Sequence, residues 1–174
     1  MRLRLQRPPQ MKDLAGESHR TASTCPLCTA LLQPDNDPCF VARLQHGTLL
    51  LNKNQIYRGR CVYVFNQHIT DITDLEVTAF SAYSRELHAL VTAVARVFHP
   101  NLVNLAMLGN RVRHVHWHII PRYSKDPNWG DPPWPSETLE LSERSYRQLG
   151  RRILRALEVA DYETNKIPER ASAN

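Results

Sequence analysis

No stretch of this 174-residue chain is apolar for the ~18 consecutive residues that a membrane-spanning helix needs, so a membrane-embedded role is not expected. The opening MRLRLQRPPQMKDLAGE lacks the apolar core of a secretory signal, and the expected location is the cytoplasm. Only four cysteines are present, and without a secretory context they point to metal binding or free thiols rather than a disulfide framework. No internal repeat is visible. What is present is ordinary globular material, with 42% hydrophobic and 22% charged residues, which argues against wholesale disorder. A chain of this length buries roughly 70% of its unfolded surface and needs no disulfides to fold.

The net charge is +5 and suits anionic partners: nucleotides, nucleic acid or a membrane surface. Part of it lies near the start, in Arg2, Arg4, Arg7, Lys12 and Arg20 against Asp13 and Glu17. A second group, Arg144, Arg147, Arg151, Arg152 and Arg155, falls in a predicted helix. Such runs usually mark solvated tails and exposed helix faces. The organisation expected is a flexible basic tail over 1–22, one domain over 23–161 and a polar tail over 162–174.

Within that domain, short strands are predicted at Cys39–Arg43 and Thr48–Asn52 with Gly47 in the turn between them, then a loop closed by Gly59 and a third strand at Arg60–Phe65. Thr73-Asp-Leu-Glu76 reads as a capping box. Phe80, Tyr83, Leu87, Leu90, Val91 and Val94 follow at helical spacing, predicting a helix over 74–98 that ends at His99-Pro100. Strands are predicted at 102–108 and 114–120, the latter ended by Pro121. Residues 124–136 form a Pro-rich loop with two tryptophans, and a second helix over 142–160 carries Tyr146, Leu149, Ile153 and Leu157. This order predicts an α+β domain with a mainly antiparallel sheet, a long amphipathic helix and a C-terminal helix.

One strand is unlike a core strand. Along Arg113-His-Val-His-Trp-His-Ile-Ile-Pro121, alternation puts His114, His116 and His118 on one face and Val115, Trp117 and Ile119 on the other. Three imidazoles in a row are costly to bury unpartnered. They suit metal ligation or attack on phosphorus, because a neutral imidazole is a good nucleophile near pH 7. Cys25-Pro-Leu-Cys28 has the spacing of half a zinc site or of a redox pair, although a redox pair is expected in a βαβ setting. Cys39 and Cys61 read as buried small hydrophobes. Trp129 and Trp134 either stack on a bound base or anchor their loop.

The run His114-Val-His116-Trp-His118-Ile-Ile120 resembles the histidine triad (HIT) signature at all seven positions, and Pro121-Arg122 extends it. Leu108-Gly-Asn110, Trp117 and the segment Asp126–Trp134 are similar to a bacterial branch of diadenosine polyphosphate hydrolase-like proteins. The resemblance covers roughly Cys25 to Trp134 and implies a HIT-like fold. It implies His116 as nucleophile on an α-phosphate, His118 on phosphate oxygens and His114 in support. It also implies Gly109 and Asn110 at phosphate, Asn104 orienting the nucleophile or binding phosphate, and Asn52 at the nucleoside. Where many members have Ser or Thr, this chain has Arg111. That substitution puts phosphoramidate cleavage in doubt but suits a polyphosphate leaving group. The resemblance further implies His68 and His114 as partners of Cys25 and Cys28 in a structural zinc site, with no organic cofactor. A nucleotide substrate and a homodimer are expected. The alternatives are a phosphorylase or nucleotidyltransferase on the same site, or a nucleic-acid-binding module working through the basic tail.

Overall fold

The β-branched and aromatic run Cys61–Phe65 is buried at all five positions, which requires material on both faces of the strand it forms. That strand lies at the centre of the molecule. In the computed structural model, which describes residues 22, 24–32, 36–126 and 128–165 (side chains to 159), five strands form one antiparallel sheet. They are β1 (Phe40–Arg43), β2 (Gly47–Leu51), β3 (Cys61–Phe65), β4 (Leu102–Ala106) and β5 (His116–Arg122), in the spatial order β1-β2-β3-β5-β4. With α1 (Pro26–Leu32), α2 (Val77–Phe98) and α3 (Glu143–Asn165), this is the α+β architecture expected. Most of the tails proposed for 1–22 and 162–174 lies outside the described residues.

Each sheet face has its own cover. One face presents Leu49, Leu51, Cys61, Tyr63 and Ile119 to the apolar stripes of α2 (Tyr83, Leu87, Leu90, Val94) and α3 (Tyr146, Leu149, Ile153, Leu157). The periodic positions singled out in the two helices are therefore core positions, apart from Phe80 and Val91, which are only partly buried. The opposite face presents Leu50, Val62 and Val64 to Leu31 of α1. That short helix has no apolar period long enough to be visible in the sequence.

Three local expectations are corrected. The Thr73-to-Glu76 box does not cap α2. Asp71 instead accepts from the Thr73 amide and hydroxyl, capping a separate 3-10 turn at Ile72–Asp74, and α2 starts three residues later than predicted, at Val77, with no side-chain cap. Gly47 belongs to β2 rather than to the turn: a Cβ there would lie 2.4 Å from the Tyr63 ring, so only glycine admits that ring. Pro121 does not end β5, which runs on to Arg122. The Arg122 carbonyl accepts from Asn101 on the β4 side, so the Pro121 nitrogen faces the other way, beyond the last β3 pair at Cys61–Ile119, where no ladder bond is lost. The C-terminal end of α2 is as predicted: His99 takes the left-handed conformation (φ 47°) and Pro100 prevents continuation.

Candidate active site and metal centre

The register of β5 builds the site. His118 pairs with Val62 and Ala106, His116 with Val64, Ile120 with Asn104, and Arg122 with Leu102. Paired residues share a face. His116, His118, Asn104 and Arg122 therefore stand on the α1 side of the sheet, while Trp117 and Ile119 face the helices, as the alternation predicts.

His116 is 6% exposed. Its Nδ1 lies 2.5 Å from the His114 carbonyl oxygen, which accepts only if Nδ1 carries the proton. In the neutral ring this bond selects the tautomer whose lone pair is on Nε2. The His118 ring meets the His116 ring edge to face at 5.0 Å, and its buried Nδ1 has no hydrogen-bond partner among the described residues. Burial pushes the His118 pKa down to about 4, with His116 and Arg60 adding like-charge repulsion.

His114 precedes β5 and turns its ring another way. Its Nε2 lies 2.8 Å from the Phe65 carbonyl, which fixes the proton there. Its Nδ1 faces Cys25 Sγ at 3.4 Å and Cys28 Sγ at 3.5 Å, and His68 Nδ1 lies 3.2 Å from Cys28 Sγ. One ligand atom from each of Cys25, Cys28, His68 and His114 falls within 4.8 Å of every other. A tetrahedral zinc with Zn–S of about 2.3 Å and Zn–N of about 2.0 Å sets sulfur and nitrogen about 3.5 Å apart, and the observed spacings match. The donor set fits as well. Burial, with Cys25 as neighbour, raises the Cys28 thiol to about 11, and burial lowers the pKa of both His68 and His114. Without a cation these shifts favour the neutral forms of Cys28, His68 and His114; a divalent ion compensates thiolates and takes neutral imidazoles as they are. The cysteine pair does open a helix, but among the described residues α1 follows no strand.

The other residues expected at the site divide. Asn104 is on the histidine face, where its Oδ1 accepts from Arg122 Nη1 at 3.0 Å. The Asn52 side-chain oxygen is taken up by the Asn54 amide in a local turn. Gly109, Asn110 and Arg111 lie in the exposed β4–β5 loop, where the side chains of Asn110 and Arg111 make no hydrogen bond among the described residues.

Two residues at this face, Arg122 and Arg60, were not singled out as site residues by the sequence reading, which left Trp134 as either a base-stacking or a loop-anchoring ring. Arg122, 1% exposed, bonds to Asp126, Asn104, Asn128 and Asp131, and so ties down the loop that follows β5. That loop delivers Trp134 edge-on to His118, with ring centroids 5.3 Å apart. Arg60, 5% exposed, places its guanidinium carbon 5.0 Å from the Trp134 ring. The signal for Arg60 was its place at the head of the third strand, two residues from Val62 on the histidine face. Nothing in the sequence indicates the contacts of Arg122.

The model of the HIT domain matches residues 33–125. The chain belongs to the HIT family. Proteins of this family bind nucleotides and are generally nucleotide hydrolases or transferases. A curated relative, Protein hit of Bacillus subtilis, is 25% identical over 114 residues, spanning 63% of this chain and 78% of its own. Among solved structures, a histidine triad protein from Sinorhizobium meliloti superposes with a TM-score of 0.66 at 22% identity, covering 78% of this chain and 98% of its own. A zinc-bound histidine triad protein from Mycobacterium smegmatis gives 0.62 at 18% identity, covering 82% and 99%. Diadenosine triphosphate hydrolase of Plasmodium falciparum gives 0.56 at 15% identity, covering 76% and 81%.

Proposed function

We propose that this HIT protein hydrolyses dinucleoside polyphosphates, with His116 as the nucleophile. The observation that carries the reading is the bond between His116 Nδ1 and the His114 carbonyl, which in the neutral ring puts the lone pair on Nε2, on a face that also holds His118 and Asn104. In the first step the Nε2 lone pair attacks the α-phosphorus, the N–P bond forms, and the anhydride P–O bond breaks with its electrons on the departing phosphate. In the second step water attacks the same phosphorus, the N–P bond breaks, and the proton from water is released to solvent. The roles assigned to the chain are His118 on phosphate oxygens, His114 as the support of His116, Asn104, Gly109, Asn110 and Arg111 along the phosphates, and Asn52 at the nucleoside. The resemblance to a Plasmodium hydrolase of a dinucleoside polyphosphate supports the substrate class.

Cys25, Cys28, His68 and His114 would hold zinc in a closed four-ligand site. The ion would pin the start of α1 to the sheet and would take no part in the chemistry. The zinc-bound relative and the sulfur–nitrogen spacings support this. The protein is proposed to act as a cytoplasmic homodimer.

The test is product analysis by anion-exchange chromatography after incubation with diadenosine tetraphosphate, with and without inorganic phosphate. The expected result is cleavage by the wild type that falls at least about a thousandfold in His116→Ala, the scale of losing an essential nucleophile. His116→Ala with full activity would overturn the mechanism, and cleavage strictly dependent on phosphate would make the protein a phosphorylase. For the metal, elemental analysis should find about one zinc per chain in the wild type and little in Cys28→Ser.

A further inference from the structure

The histidine face carries a charge that the reaction above leaves unused. Arg60 lies two residues before Val62 and so on the side of the sheet that holds His116 and His118. It is 5% exposed, yet its Nε is buried without a hydrogen-bond partner, and among the described residues its guanidinium makes no ion pair. The contact it does make is with the ring of Trp134, at 5.0 Å. Trp134 lies against His118, whose Nδ1 is also unpartnered. Burial pushes the pKa of Arg60 down, with only the Tyr57 hydroxyl opposing, but a guanidinium does not shed its proton at physiological pH. A buried cation with no counter-charge is costly in the empty protein, and a bound anion removes that cost.

The backbone around Arg60 is firmly held. Gly59 adopts φ 88°, and a Cβ there would lie 2.6 Å from the Phe98 ring. Gln55, itself 2% exposed, donates to the Arg60 carbonyl at 2.9 Å and accepts from the Gly59 amide at 2.9 Å. The chain is thus fixed to present a side chain that has no partner for its charge among the described residues. Along β3, Arg60 stands two same-face steps from Val64, the partner of His116. At about 3.3 Å per residue that is about 13 Å between Cα atoms, with the His118 row between them. Arg60 is therefore aligned with a position next to the attacked phosphorus rather than with the phosphorus itself.

We propose that Arg60, backed by Trp134, binds a second phosphate of the substrate, so that the site selects nucleotides with two or more linked phosphates over monophosphates. This rests on the reading of His116 as a nucleophile at phosphorus only for which phosphate is attacked; the anion site itself is independent of turnover.

The experiment is isothermal titration calorimetry of the full chain with adenosine, AMP and ADP, using wild type, Arg60→Gln and Arg60→Lys, together with the melting temperature of each without nucleotide. The wild type should bind ADP about tenfold to hundredfold more tightly than AMP, the size of one or two charge-assisted contacts. Arg60→Gln should bring ADP to the AMP affinity while leaving AMP and adenosine unchanged, Arg60→Lys should recover part of the preference, and neither should lower the ligand-free melting temperature. A wild type without preference for ADP, or an Arg60→Gln protein that keeps the preference, overturns the proposal. So does an Arg60→Gln protein that melts lower and loses AMP and ADP alike, which would make Arg60 a packing residue beneath Trp134. Turnover separates the two readings. An Arg60-dependent preference for ADP without cleavage of diadenosine tetraphosphate refutes the hydrolase and leaves the anion site standing. His116-dependent cleavage without that preference does the reverse.

Discussion

Two arginines are buried on the same side of the sheet and are treated in opposite ways. Arg122 commits its guanidinium to five hydrogen bonds, one of them an ion pair with Asp126 at 2.9 Å, and lies within about 6 Å of the Tyr57 and Trp129 ring centroids, at 5.2 and 5.7 Å. Among the described residues the Arg60 guanidinium makes none, and it lies over the Trp134 indole. Burial alone thus says little about what a charged side chain does. The partner list separates a group that holds the structure together from one held ready for something outside it. The first is a cost already met by folding, and the second is a cost that folding leaves open.

The sharpest way to break this contrast is Arg122→Met. It leaves Asp126, Asn104 and two carbonyls without their donor, and urea unfolding should show a loss of about 3–5 kcal/mol. A loss below about 1 kcal/mol would mean that the network is decorative. Asp126→Asn removes the charge but keeps the shape and the other acceptors of Arg122; about 1–2 kcal/mol should be lost in the same assay. Arg60→Met, which deletes the unpartnered cation, should leave stability within about 1 kcal/mol of wild type, with any change in the stabilising direction. Destabilisation equal to that of Arg122→Met would erase the distinction. The smallest effect concerns His118. Its pKa near 4 lies below the ordinary imidazole value, so acid favours the unfolded chain, which takes up a proton that the folded chain refuses; stability falls as pH drops from about 6.5 towards 4. Removing Arg60 removes one source of repulsion. An NMR titration of Arg60→Met should therefore move His118 upward while burial keeps it below 6.5. A downward or absent shift would show that the Arg60 charge is not felt there.

Much of the fold was legible because its determinants are local and periodic. The alternation in β5 assigned Trp117 and Ile119 to the core side, and the stripes of α2 and α3 supplied most of the core. Pro121 was misread because its tolerance depends on where β3 ends, which the sequence of β5 does not contain. The capping box was misread because Asp71, two residues before Thr73, outcompetes Glu76 for the free amides of that turn. Helix α1 was missed because seven residues offer no period to detect. At the site, His114, His68 and the two cysteines were brought together by family resemblance rather than by spacing, and the geometry accommodates them. The two arginines differ in legibility. Arg60 heads a recognisable strand, whereas the partners of Arg122 come from a loop whose path no periodicity encodes.

The contacts of Arg122 also bear on how this protein can change. One guanidinium grips the loop at Asp126, Asn128 and Asp131, ahead of the turn that delivers Trp134. Those three positions act as a single rivet at the near end of the segment, and Asn54 holds its far end by bonds to the Glu137 carbonyl and the Leu139 amide. The stretch between, which carries Trp134 against His118, is a plate pinned at both ends over a fixed reaction floor. Exchanging the ring at position 134 would reshape that cover while the histidines beneath stay where they are.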